Sequence, residues 1–173
     1  MDRLEVSTNV YLPPQEVYEF LLCFREYAGY TEHLREVRQH GDGSPGTQYE
    51  LDFSWWRLDY TARSEVTAVE PPGDADPPYR IDWRAVEDIA AAGSWLVEPV
   101  DPSGPETDVT FAVEYAPQSA DTSRLELPRF VPFDAVVERA KPYIENEAER
   151  LVKRVVADLE GQKRDVALEI ETQ

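Results

Sequence analysis

Two histidines, His33 and His40, a single cysteine, Cys23, and scattered serines and tyrosines are what this chain offers for catalysis. Acyl transfer or acid–base work needs a nucleophile, a base or paired carboxylates that converge on one spot. No base or positive cluster stands near Cys23, so its thiol is expected to pack as a small buried hydrophobe. His33 and His40 lack a third ligand, which leaves no metal site, and no cofactor is expected. Among the positions that face inward by parity, Ser64 is the obvious hydroxyl besides tyrosines such as Tyr60. Nearly every carboxylate falls on the opposite parity. The chemistry on offer therefore favours binding over catalysis. Arg35 has two readings: it holds an acidic ligand head group, or it makes a surface ion pair with Glu32 or Glu36.

The elements that would position these groups follow from periodicity. Leu4, Val6, Thr8 and Val10 alternate with polar residues and predict a half-buried strand. Pro13-Pro14 ends it and suits the first turn of a helix, whose apolar face is Val17, Phe20, Leu21 and Phe24. Tyr27 to Tyr30 suggests a second short helix or turn. A strand over Leu34–His40 runs into the glycine-rich turn Gly41–Gly46. From there to Ala116 the period is two, which predicts an antiparallel meander with one apolar face. After it, Phe133 to Leu159 reads as a long amphipathic helix with Ile144, Ala148, Leu151, Val155 and Leu159 as its stripe and Tyr143, Val152 and Val156 alongside. Pro142 should kink or break that helix, because it removes a ladder bond.

The apolar face of the meander is rich in rings: Tyr49, Phe53, Trp55, Tyr60, Tyr79, Trp83, Trp95, Phe111 and Tyr115. A twisted sheet of about six or seven strands offers more surface than one helix covers. The rings either fill the gap as a close-packed core or line an apolar cavity of about 300–1,000 Å³. Adjacent Trp55 and Trp56 point to opposite faces in a strand. One of them packs on the outer side or tail, or serves a partner or a homodimer.

With 35 acidic against 17 basic residues, only three of them lysines, the formal charge is −18. Such a surface repels nucleic acid and anionic membranes, and neither is expected as a partner. At molar salt the Debye length shrinks to about 3 Å and the self-repulsion is lost. The composition thus resembles that of a protein from a salt-in halophile. No stretch is long and apolar enough for stable membrane insertion, and the N-terminal residues lack a signal-peptide pattern, so a cytoplasmic location is expected. Residues 1–160 are expected to form one domain. The charged tail, 161–173, is expected to be disordered unless Val166, Leu168 and Ile170 add a strand.

Five stretches carry a resemblance. They are Pro13-Pro14-Gln-Glu-Val-Tyr-Glu-Phe-Leu21, Tyr30-Thr-Glu-His-Leu-Arg-Glu-Val37, Gly46-Thr-Gln-Tyr49, Glu65-Val-Thr-Ala-Val-Glu-Pro-Pro72 and Gly93-Ser-Trp-Leu-Val-Glu-Pro99. In this order the chain resembles the START-like, or SRPBCC, superfamily, and within it the polyketide cyclase/dehydrase and coenzyme Q-binding group. The resemblance implies an α+β helix-grip fold: a curved antiparallel sheet around the C-terminal helix, with two short helices after the first strand. It further implies a cavity for a hydrophobic or aromatic small molecule such as a lipid, quinone or polyketide-like compound. The expected wall is Tyr49, Phe53, Trp83, Trp95, Phe111 and Tyr115, with Phe133 and Tyr143 from the helix region. His33 would then stand near the cavity entrance. The alternatives are a cyclase or dehydrase using the same pocket, with His33 or Tyr60 as acid/base, and a ligand-free interaction module.

Overall fold

The computed structural model describes residues 1–55, 58–70, 75–121, 123 and 133–173, the side chains of Trp55, Leu58 and several residues of 133–145 excepted. The chain begins with β1 (Asp2–Val10) and α1 (Pro14–Leu22), followed by a 3-10 helix, Phe24–Tyr30. The meander is β2 (Leu34–His40), β3 (Gln48–Trp55), β4 (Leu58–Glu70), β5 (Tyr79–Ala85), β6 (Ala90–Pro99) and β7 (Thr107–Ala116). Then come α2 (Phe133–Glu160) and a last strand, β8 (Glu169–Thr172). All the strands form one antiparallel sheet in the order β2-β3-β4-β5-β6-β7-β1-β8. This is the α+β helix-grip architecture, with eight strands where about six or seven were expected.

The extra strand comes from the tail, which takes the ordered alternative. Val6 faces Ile170 and Leu4 faces Thr172, Val166 is buried, and Thr8 Oγ1 donates to the Ala167 carbonyl at 2.9 Å. Arg164 adds an ion pair to Glu160 at 2.8 Å, a hydrogen bond to the Asn9 carbonyl at 2.8 Å and a cation–π contact with Tyr11. A strand that buries apolar side chains and pairs its backbone offsets the entropy of ordering it.

At the β2–β3 turn the backbone of Gly41 has φ +134°, where a Cβ would sit 2.6 Å from Thr47 Oγ1. Thr47 is itself buried and accepts a hydrogen bond from the Gly43 amide, so glycine is required there. A register shift between Val66 and Ala68 leaves Val66 opposite Trp83 and Val69 opposite Ile81. That bulge keeps both valines on the inner face of the sheet.

Two expectations need correction. First, of the kink or break expected at Pro142 the break does not occur, since α2 is continuous there; a single missing ladder bond is tolerated in a helix of 28 residues. The expected apolar face of α2 is the one turned inward: Val156 is buried and Val152 packs on the core, while Ala148, Leu151, Val155 and Leu159 are half-buried. The side chain of Ile144 lies outside the described residues. Second, Cys23 is exposed, its thiol pointing to the Glu19 carbonyl at 3.4 Å. It is the residue that caps α1, so it leaves the helix's apolar face.

Candidate ligand site on the concave face

The inner face of the sheet divides into a buried part and a half-buried part. Tyr49, Val66, Tyr79, Ile81, Val97 and Val109 are buried. Tyr18 of α1 stacks on Tyr79 at 4.5 Å, and Phe24 of the 3-10 helix meets Tyr49 edge-on at 4.8 Å. These contacts make an ordinary core with Val17, Leu21 and Val156. Farther along the same strands Trp83, Trp95, Phe111, Val113 and Tyr115 are half-buried, and Phe53 is 38% exposed. Period two alone assigns both groups to one face; the position of α1 decides which of them is closed over.

Within the half-buried part the rings adjoin, and Trp95 also packs against the core. Trp95 and Phe111 lie opposite each other on β6 and β7 with centroids 4.6 Å apart. Trp83 is nearly parallel to Phe111, at 11° and 6.0 Å. Opposite Trp83 in the ladder stands Gly93, and the indole lies across it. Tyr115 is paired with Ala91, one ladder step beyond Gly93 on the same face. Of the expected wall, then, Trp83, Trp95 and Phe111 come together with Tyr115 beside them. Tyr49 belongs to the buried part, where burial pushes its phenol up from the ordinary value. Phe53 lies opposite Tyr60 on β4. The side chain of Phe133 lies outside the described residues.

His33 joins the sheet edge to α2. Its Nδ1 lies 3.3 Å from the Ser54 carbonyl, and the Tyr143 ring meets it edge-on at 6.1 Å. Its Nε2 is buried without a hydrogen-bond partner among the described residues. Glu147 Oε2 is 3.6 Å away, too far for a hydrogen bond, while Oε1 of the same carboxylate holds Arg150 at 2.8 Å. Tyr143 itself is 47% exposed. Tyr60 donates to Asp88 Oδ2 at 3.1 Å, and Asp88 adopts a left-handed backbone with φ 70°. His33 precedes β2 and is held by β3 and α2, whereas Tyr60 lies in β4 and is bonded to Asp88.

The convex face carries the charge. Arg38 holds Glu50 at 2.9 Å and Asp52 at 3.1 Å, and Arg63 bridges Glu50 and Glu87. Arg84 binds Glu65 at 2.6 Å. Hydrogen bonds from Arg38 hold the Glu50 and Asp52 carboxyls below their ordinary range. Arg35 pairs with Asp59 at 3.1 Å and donates to Ser54 Oγ, not with Glu32 or Glu36 as expected. It is the unmatched residue of a register shift in β2, which turns it across the β3–β4 hairpin. Among the described residues no group of three His, Cys, Asp or Glu is placed to hold a metal. No described helix is long and apolar enough to cross a membrane.

Sequence reasoning did not single out Gly93, Glu147 or Asp88. A glycine in the middle of a ring-rich strand was a usable signal for Gly93. Nothing local marks Glu147 as the neighbour of His33, because that contact is made by the tertiary fold.

A concave antiparallel sheet with a long C-terminal helix laid on it defines a helix-grip protein of the START-like superfamily. Residues 1–156 match the family described as polyketide cyclase/dehydrase and lipid transport, and the chain belongs to that family. No curated protein matches it in sequence. Among solved structures it is similar to the ZhuI aromatase/cyclase from Streptomyces sp. R1128, with TM-score 0.67 and 17% identity over 92% of this chain and 94% of that one. A START superfamily protein from Mycobacterium smegmatis gives 0.62 and 14%, over 92% and 99%. A norcoclaurine synthase from Thalictrum flavum gives 0.59 and 11%, over 91% and 96%.

Proposed function

We propose that this protein binds a hydrophobic, ring-bearing small molecule, such as a lipid, quinone or polyketide-like compound, between the inner sheet face and α2. The observation that carries the reading is the adjoining set Trp83, Trp95 and Phe111. These rings stay half-buried on a face whose other part is buried. Large rings left partly open on a concave surface gain most from an apolar occupant: burial contributes about 25 cal/mol per Å², and ring stacking roughly 1 kcal/mol more. The family's lipid transport and cyclase members support the reading. The charged convex face gives such an occupant nothing to bind.

The site acts by desolvation and shape. Apolar walls exclude water, and the rings orient a flat ligand. A second reading, a cyclase or dehydrase in the same pocket, is favoured by one feature: the Nε2 of His33 beside α2, buried with no hydrogen-bond partner among the described residues and with Glu147 at 3.6 Å. Tyr60 is a poorer acid, since its proton is already directed to Asp88. Loss of turnover of a polyketide-like substrate in His33→Ala, with binding retained, would favour that reading.

The direct test is titration with the neutral fluorescent probe N-phenyl-1-naphthylamine. We expect saturable uptake at one site, weakened roughly tenfold or more in Trp95→Ala, the scale of a lost apolar pocket contact. The convex-face variant Arg84→Ala should bind as the parent does. No uptake by the parent protein would leave the rings as a filled core and the chain as an interaction module.

A further inference from the structure

We infer that Gly93 is a specificity-determining residue: the absence of a side chain there sets the depth of the pocket, because it lets the Trp83 indole lie flat on the sheet. This rests on the binding reading above. A Cβ built on Gly93 would stand 2.5 Å from Trp83 Cζ2 and 2.7 Å from Cε2, and 2.7 Å from the Ala112 carbonyl oxygen. Contacts this short do not persist. The carbonyl belongs to β7, which is tied into the ladder on both sides, whereas the indole is a side chain. A methyl group at position 93 therefore displaces the ring, and the direction open to it is away from the sheet.

That direction leads into the half of the concave face where Phe111 and Trp95 are incompletely covered. Trp83 now stacks nearly parallel to Phe111 at 6.0 Å, so moving the indole also disturbs that ring pair. Lifting the indole makes the pocket shallower at its ring-lined end. Fused-ring ligands lose room there before slender ones do. Backbone freedom is not the reason for the glycine, since Gly93 lies within a regular ladder between Trp83 and Val113. The space above it is.

The test compares two neutral probes, fused-ring N-phenyl-1-naphthylamine and rod-shaped 1,6-diphenylhexatriene, and reads the ratio of their affinities. Gly93→Ala is expected to shift the ratio roughly tenfold against the fused-ring probe, the scale on which pockets discriminate such differences. Trp83→Phe, which removes the benzo ring lying over Gly93, is expected to shift it the other way. If the contact with Ala112 keeps Gly93→Ala from folding, Trp83→Phe decides alone. Unchanged ratios in the folded variants, with both probes bound by the parent, would overturn the role of Gly93 and leave the binding reading standing. A parent that binds neither probe would overturn both.

Discussion

Tyr30 shows how a single side chain couples the 3-10 helix to α2. Its phenol donates to Asp158 Oδ2, and Arg154 of the same helix donates to its carbonyl at 3.0 Å. Burial first, and then the bond to Asp158, push the phenol from its ordinary 10 up to about 12. Between these values the folded chain keeps a proton that the unfolded chain releases. Stability from this group is therefore complete below about pH 10 and is lost as pH rises toward 12. In denaturant melts the advantage of the parent over Tyr30→Phe should be constant at neutral pH and shrink across that window. An advantage that stayed level to pH 12 would contradict the assignment. None of this was legible beforehand. Side-chain parity put Trp83, Trp95 and Phe111 on one face, where they meet, but Tyr30 and Asp158 meet only through the tertiary fold. The same limit applies to Tyr49: its type and parity match those of Phe111, and only the packing of Phe24 puts it in the closed core.

At the scale of elements, the strand meander was legible because polar and apolar residues alternate almost without interruption from β3 to β7. The bounds expected for β2 are those observed. The helix spans were legible too, Phe133–Leu159 being expected and Phe133–Glu160 observed. What periodicity did not supply is that the helix runs unbroken through Pro142. The tail was read as disordered because its charge obscures three apolar residues. The structure orders it through Arg164, whose partner Glu160 is only 3% exposed. Arg164→Ala would leave that carboxylate buried and unpaired, at an expected cost of about 3 kcal/mol in denaturant melts. Adding Glu160→Gln should recover part of the loss. If Arg164→Ala costs no more than a surface pair, the tail is not held in this way.

The whole molecule combines an apolar interior face with an outer surface of net charge −18. Arginine–carboxylate pairs relieve this on the convex face, but the excess of acid remains. Melts in low and molar KCl should show marked stabilisation by salt, as screening removes the self-repulsion; equal melting temperatures would remove the halophilic reading of the composition. Binding depends on the other property, the half-open concave face. Native mass spectrometry of gently purified protein tests it most directly. The account predicts a species heavier than the bare 19.8 kDa chain, carrying one hydrophobic compound or taking one up on addition, with occupancy reduced in Trp95→Ala. A parent protein that flies only as the bare chain and takes up no hydrophobic compound would contradict it.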